Sequence, residues 1–327
     1  MARTPFTLAA LATSAVAGLD VVGAAPYADD GFDSAVIADR DGRTWVIRVP
    51  RSAAAEAEQS ADLVALGALT GGVRSRLPFA ITGFAGQAPV EGTRAVVLSF
   101  VDGSPSPTSS MGPELAASVG AAIAAIHALP TSCVTEVGLP SLGPVHAHQT
   151  STTLVDRAVQ TGLLPAALRE RWEHALLDDQ LWQFQPTVVN GALGSHSVLS
   201  DGVAVTGILG WHELRVADPA LDLAWLFSGR RTDAADGAFA TYLHARPGAD
   251  RQLAARATFY GELETAKWLL HGTETRDQAV VDDAVQLLHG LVDDIQDDRS
   301  PSLGAETAPI LALRDVEALL DRVERVS

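Results

Sequence analysis

The distribution of apolar positions changes character along the chain. Between Tyr27 and Arg51, SAVIA and TWVIRV are rich in β-branched residues and read as strands, joined by a turn at Asp41-Gly42. AAAEAEQSADLVALGAL, Ala53 to Leu69, reads as a helix, and PFAITGF and TRAVVLSF then predict two more strands ending near Phe100. The first hundred residues are therefore strand-rich with an inserted helix. VDGSPSPTSS, Val101 to Ser110, is rich in Pro, Gly and Ser and reads as a linker. Beyond it the period becomes helical: Leu115, Val119, Ile123 and Ile126 fall four, four and three residues apart, on one face. Further helices are expected over about 164–181, 218–229, 232–244, 250–271 and 276–297, with VAVTGIL as a strand after the Asp201-Gly202 turn. The tail, about 305–327, carries an amphipathic helical pattern. The sum is an α+β chain with a small strand-rich lobe, 1–101, a short hinge between Phe100 and Ser104, and a larger helical lobe, 102–327.

The N-terminus allows two readings. Arg3 followed by an apolar run resembles a short signal peptide, but one Arg is a thin basic region. Thr4 as N-cap, Pro5 at the first helical position and Gly18 as the stop favour a helix. No stretch reaches the roughly 20 apolar residues of a membrane span.

Composition narrows the function. With 327 residues, 47% of them hydrophobic, the chain has ample core for a bilobal protein. Its 40 acidic residues against 23 basic ones give a net charge of −17, which argues against a nucleic-acid partner. The single cysteine, Cys133, excludes an intramolecular disulfide and a cysteine metal site and fits a reducing cytoplasm. His127, at the end of its helix, reads as a packed or capping residue rather than a ligand.

Several segments, in order and at matching spacing, resemble the aminoglycoside and macrolide phosphotransferases, with the macrolide kinases most similar. These are TWVIRVPR, RLPFAIT (Arg76 to Thr82), VLSFVDGSPSP and TGILGWHELRVADPALDLAWL. The resemblance covers nearly the whole chain and implies a protein-kinase-like fold. In that family a catalytic loop of the form HGDLxxxN or HGDLxxxH precedes a metal-binding strand of the form IDW. Phosphoryl transfer there needs a carboxylate at the attacking hydroxyl, a polar loop ligand for magnesium, and a second carboxylate on the strand.

This chain departs from that pattern where the chemistry resides. The loop reads Asn190-Gly191-Ala192-Leu193, so the catalytic carboxylate position holds Ala192. The loop metal position holds Ser197 and the strand metal position holds Gly210. Candidate substitutes are Glu213, equally readable as a structural partner of Arg215, and His196, one place before the loop ligand. Asp218 and Asp222 read as structural, Asp218 as a helix N-cap and Asp222 packing the loop; Asp201 belongs to its turn. The first lobe keeps more. Arg48 stands where relatives carry a phosphate-binding Lys or Arg, with Glu58 or Glu56 as its helix partner and Phe100 at the hinge. Asp29 to Val36, DDGFDSAV, resembles the nucleotide loop.

The resemblance thus implies ATP or GTP as the candidate nucleotide, with magnesium binding weak or absent, and a small molecule in the inter-lobe cleft; no protein partner is named by it. The leading reading is a catalytically degenerate pseudokinase that binds a nucleotide, small molecule or partner. Its rivals are a divergent small-molecule O-phosphotransferase and a purely structural or interaction protein. The aromatic residues of the variable helices, Trp172, Trp182, Phe184, Phe259, Tyr260 and Trp268, read as core, and Glu262 and Glu264 as a solvated face.

Overall fold

The computed structural model describes residues 3–229, 232–297 and 303. Helix α1 (Pro5–Ala15) begins as the sequence predicts: the Thr4 hydroxyl accepts from the Thr7 N–H at 3.3 Å. A five-stranded antiparallel sheet follows, made of β1 (Val21–Tyr27), β2 (Phe32–Asp39), β3 (Thr44–Pro50), β4 (Phe84–Val90) and β5 (Thr93–Ser99), in the order β1-β2-β3-β5-β4. Helix α2 (Ala53–Ala68) and the single turn α3 (Gly71–Arg74) are inserted between β3 and β4.

Strand alternation gives this sheet two different faces. Ala35, Ile37, Ile47, Val49, Ala95 and Val97 point to one side, where Leu8 and Ala12 of α1 cover them. Val96 and Leu98 point to the other and join the main core with Leu66 and Leu69 of the α2 region. Two departures from the sequence reading have local causes. Strand β1 goes unpredicted because Gly23 and Pro26 interrupt it; it survives as an edge strand, where a missing N–H is tolerated. PFAITGF is not a strand of this sheet up to Thr82. Ala80 instead bridges to Gly207, its N–H donating to the Thr206 carbonyl at 2.9 Å while its own carbonyl accepts from Ile208 at 3.1 Å. Phe79 and Ile81 are thereby buried in the main core, and the Arg74 guanidinium holds the segment through the carbonyls of Ile81 and Thr82.

After Ser99 the chain leaves the sheet through Phe100 to Gly103. Gly103 has φ +134°, and a Cβ there would meet the Thr206 hydroxyl at 2.3 Å, so the crossing accepts glycine alone. Strand β6 (Ser104–Pro105) then pairs with β8 (Val198–Ser200), which pairs with β9 (Val205–Ile208). Helices α4 (Pro113–His127), the short α5 (Ser132–Thr135), α6 (Pro144–Gln160) and α7 (Ala166–Leu177) precede β7 (Thr187–Val189), which pairs antiparallel with β10 (Arg215–Ala217). Helices α8 (Ala220–Phe227), α9 (Asp233–Ala245), α10 (Leu253–Thr275) and α11 (Gln278–Gln296) complete the helical part. The architecture is α+β and bilobal, with a strand-rich N-terminal lobe and a helical C-terminal one. The amphipathic tail about 305–327 lies outside the described residues. No described helix is long and apolar enough to cross a membrane.

Five of the six aromatic residues singled out above are buried; Trp268 is the exception, exposed and bonded through its indole N–H to Asp283. Glu262 corrects the solvated-face expectation. It is buried, accepting from Arg171 and, at 2.8 Å, from the Trp172 indole, because α10 packs with its acidic position turned inward toward α7. Glu264 stays exposed beside Lys267.

Helices α4 and α9 approach so closely at Gly120 that a Cβ there would stand 2.0 Å from the Ala238 carbonyl oxygen. Backbone cannot yield as a flexible side chain can, so the two helices must separate. Gly120→Ala is expected to lower stability by about 1–3 kcal/mol, the usual range for overpacking, seen as a lower Tm and urea midpoint. An unchanged midpoint would show that this contact is not tight.

Candidate functional site

A cavity of about 590 Å³ lies between the sheet and the helical part. Val46 and Arg48 enter it from β3, since alternation sends Ile47 and Val49 to the opposite face. One end is apolar, with Val46, Leu98, Phe100, Val101 and Leu209. The other is polar, with Tyr27, Asp29, Asp30, Arg48, Glu58 and Asp62. The floor is the loop after β7 and the end of β9, represented by His196, Ser197 and Gly210.

The loop is fixed by hydrogen bonds from buried groups. The Asp222 carboxylate, on the first turn of α8, accepts from the Asn190 N–H at 2.8 Å and the Gly191 N–H at 2.7 Å. His127 Nε2 lies 3.2 Å from the same carboxylate, and His127 Nδ1 lies 2.8 Å from the Tyr242 hydroxyl. The tautomer protonated on Nε2 satisfies both contacts, donating to Asp222 and accepting from Tyr242. Asn190 is wholly buried; its Nδ2 donates to the Gly210 carbonyl at 2.9 Å and its Oδ1 accepts from the Ala192 N–H at 3.0 Å. Loop and strand end are thus tied by Asn190, a role the sequence did not disclose. Gly191 has φ +83°, and a Cβ there would meet the Glu213 carbonyl oxygen at 2.6 Å.

The candidate catalytic and metal positions occupy this loop and strand end. Ala192 presents a methyl group. The Ser197 hydroxyl is used within the loop, donating to the Gly194 carbonyl at 3.0 Å and accepting from the Gly194 N–H at 2.9 Å. Gly210 has φ +66°, and the nearest atom to a Cβ there is His212 Nδ1 at 3.8 Å, so space exists but no ligand. No group of three or more His, Cys, Asp or Glu side chains suited to a metal ion occurs among the described residues. The donor set therefore does not fit magnesium held by loop and strand. Of the substitutes, Glu213 is about half exposed, is bonded to Arg215 and packs beside Gly191, outside the residues that line the cavity. His196 is exposed and lines the cavity.

Arg48 has a different principal partner from the one anticipated. Its Nε donates to Asp29 Oδ2 at 2.6 Å, whereas Glu58 stands at 3.8 Å. Glu58 is also 4.0 Å from His212 Nδ1. Asp29 outcompetes the helix glutamates because it follows β1 directly, and β1 and β3 both flank β2, so the loop falls beside Arg48. Asp62, four residues beyond Glu58 and so on the same helix face, is a further group that sequence reading missed. It is buried and accepts from the Trp211 N–H at 2.6 Å; burial pushes its carboxyl above the usual range, opposed by that bond and by the Arg48 charge. The i, i+4 spacing to Glu58 was the one available signal.

Asp218 caps as expected, its Oδ1 accepting from Ala220 N–H at 2.9 Å. It also forms a fully buried ion pair with Arg256, which reaches Asp250 as well. Asp201 serves its turn, accepting from the Val203 and Ala204 N–H groups; those bonds hold its carboxyl below the ordinary range. A second cavity of about 720 Å³, bordered by Trp182, Phe184, Thr187 and Tyr242, shares no residue with the first.

Comparison with known proteins gives concordant matches. The model of the phosphotransferase enzyme family (APH) matches residues 26–260. Macrolide 2'-phosphotransferase type I superposes with a TM-score of 0.70 at 25% identity, covering 88% of this chain and 98% of that one. The apoenzyme of macrolide 2'-phosphotransferase MphH from Brachybacterium faecium gives 0.71 at 22% identity, over 87% and 98%. The GDP and kanamycin complex of APH(2'')-IIia gives 0.71 at 17% identity, over 89% and 98%. The uncharacterized protein YcbJ of Bacillus subtilis (strain 168) is 30% identical over 102 residues, 31% of this chain and 33% of that protein's own length.

The raised Asp62 carboxyl carries a sign. A group whose pKa is higher folded than unfolded leaves stability intact below the unfolded value, about 3.9 for Asp, and removes it as pH rises through the folded value. Asp62→Asn keeps an acceptor for the Trp211 N–H and deletes the charge. Its Tm is expected to exceed that of the wild type at pH 7, the gap closing toward about pH 4. A lower Tm at pH 7 would reverse the assigned direction.

Proposed function

The chain belongs to the phosphotransferase enzyme family, whose model spans most of it, and on that premise we propose that it is a pseudokinase: a kinase-like scaffold that binds a ligand in its cleft and transfers no phosphate efficiently. In this proposal residues 1–101 and 102–327 are the two lobes. The observation that carries it is the state of three positions. Where the family has a carboxylate to deprotonate the acceptor, this chain has Ala192. Where it has a loop ligand for magnesium, Ser197 spends both hydrogen-bonding functions on Gly194. Where it has the metal carboxylate, Gly210 has no side chain at all.

The magnitudes are large. A positioned general base is worth about 10²–10⁴ in rate, and electrostatic stabilisation at the transferring group is commonly the largest single contribution. Their effects overlap rather than add, because such groups act as a unit. The scaffold supports ligand binding nevertheless: the apolar end offers Val46, Leu98, Phe100, Val101 and Leu209 as walls for a flat molecule. Similar structures are by name complexes of nucleotides and antibiotics: GDP with kanamycin in APH(2'')-IIia, and ATP with streptomycin in APH(2'')-IIa. ATP or GTP and a small hydroxylated molecule are accordingly the ligands to try first. Arg48, Glu58 and Phe100 would line the nucleotide site, Phe100 at its apolar end and the other two at its polar end.

The second reading is a divergent small-molecule O-phosphotransferase. One observation favours it: the Asp222–Asn190 clamp holds the loop in an ordered conformation, and His196 lines the cleft beside it. An assay with labelled ATP and GTP against macrolide and aminoglycoside acceptors separates the two. No labelled phosphate is expected on any acceptor, and nucleotide-induced thermal shifts are expected to be the same with and without magnesium. Turnover near the ordinary kinase range of about 1–100 per second, with product mass raised by one phosphate, would establish the second reading instead.

A further inference from the structure

The polar end of the cleft already holds an anion, and the chain supplies it. Arg48 Nε donates to Asp29 Oδ2 at 2.6 Å and Arg48 Nη2 to Asp29 Oδ1 at 3.3 Å, the two-pronged geometry in which guanidinium groups also take phosphate oxygens. The Ser34 hydroxyl donates to the same Oδ2 at 3.1 Å. The Phe32 ring lies 3.8 Å from Arg48 Cζ and covers one face of the guanidinium. The pair is largely withdrawn from water, at 16% and 17% exposure, so it is screened much less than a surface pair. The neighbouring charges are mostly negative: Asp30, Glu58 and Asp62 line the same cavity, in which Arg48 is the one guanidinium among the described lining residues. Burial, and then the Asp29 charge, push the Tyr27 phenol above its ordinary range.

We infer that Asp29 is a resident counter-ion that sets the ligand class of this cleft: it occupies the guanidinium a polyphosphate would need, so the cleft favours a flat, uncharged heterocycle such as a nucleoside over the corresponding triphosphate. This rests on the reading above only in taking the cleft to be a ligand site. A polyphosphate reaching Arg48 must displace a carboxylate that stays behind, unpaired, among three others. No metal donor set on the loop or strand end offsets that charge. An uncharged ligand at the apolar end disturbs none of these contacts.

Calorimetric titration without magnesium tests the inference, with inorganic tripolyphosphate, ATP and adenosine as probes. Asp29→Asn and Asp29→Ala are each expected to bind tripolyphosphate at least about tenfold more tightly than the wild type, since deleting one nearby charge of the same sign as the ligand is worth at least that much at short range. Adding Arg48→Gln to either variant is expected to abolish the gain. Circular dichroism of each variant checks that it remains folded. The wild type alone supplies a second measurement: adenosine is expected to bind at least as tightly as ATP. Equal tripolyphosphate affinity in wild type and both folded variants, a gain that survives Arg48→Gln, or wild-type ATP binding more than tenfold tighter than adenosine would each overturn the assignment. Phosphoryl transfer by the wild type would sink the pseudokinase reading and leave this comparison intact. A wild type that binds no adenosine would overturn the assigned ligand class, whatever the tripolyphosphate result.

Discussion

The Asp222 carboxylate has no access to water, so its charge must be met by donors of the protein itself. Two backbone N–H groups of the loop and the His127 ring meet it. These donors come from two separate parts of the helical lobe, and both parts are held in turn: His127 by Tyr242, the loop by Asn190 and the Gly210 carbonyl. Removing one partner of a buried charge strands the others, which costs about 3–5 kcal/mol in comparable cases. The loop conformation and the packing of α4, α8 and α9 are therefore one problem with one solution. That solution involves no side-chain atom of Ala192 or Gly210, and the Ser197 hydroxyl enters it only by closing the loop on Gly194.

A second buried charge works beside it. Asp218 and Asp222 stand four residues apart around the start of α8, facing different partners. Asp218 meets Arg256, which is wholly buried and spans Asp218, Asp250 and the Leu181 carbonyl. Burial works against the Arg256 charge, but the hydrogen bonds it donates to Asp250 and Asp218, with the charges of those carboxylates, outweigh it and hold its pKa above the ordinary range. Together the two aspartates fasten α8 to the loop on one side and α10 on the other. On the proposed reading, structural carboxylates and chemical ones are separable in this molecule. The first kind is present with its oxygens hydrogen-bonded; at the positions proposed for the second, the side chains are a methyl, a committed hydroxyl and a hydrogen.

The cleft repeats the contrast at its other end. Arg48 enters it by simple alternation along β3, while its partner is chosen by the loop that follows β1. A guanidinium that the sequence pairs with Glu58 or Glu56 is tied chiefly elsewhere, to Asp29 and against Phe32. The resemblance to a nucleotide-binding loop lies in chain position, and the charges the loop carries are of the opposite sign to a phosphate's needs.

Local pattern alone determined much of this. The Thr4-Pro5 helix start, the β2–β3 hairpin at Asp41-Gly42, the α4 face and the Asp201-Gly202 turn were all legible, because each depends on residues within one or two turns of chain. The identities at Ala192, Ser197 and Gly210 were equally legible, since a missing carboxylate needs no coordinates to be noticed. What tertiary structure decided is who pairs with whom. Asp29 rather than Glu58 holds Arg48, Glu262 turns inward to Trp172, Ala80 leaves the expected strand to bridge Gly207, and Asn190 clamps Gly210. These contacts join residues 19 to 127 positions apart, and a hydrogen bond of that kind is set by the distance between elements once packed, a quantity that periodicity and spacing do not contain.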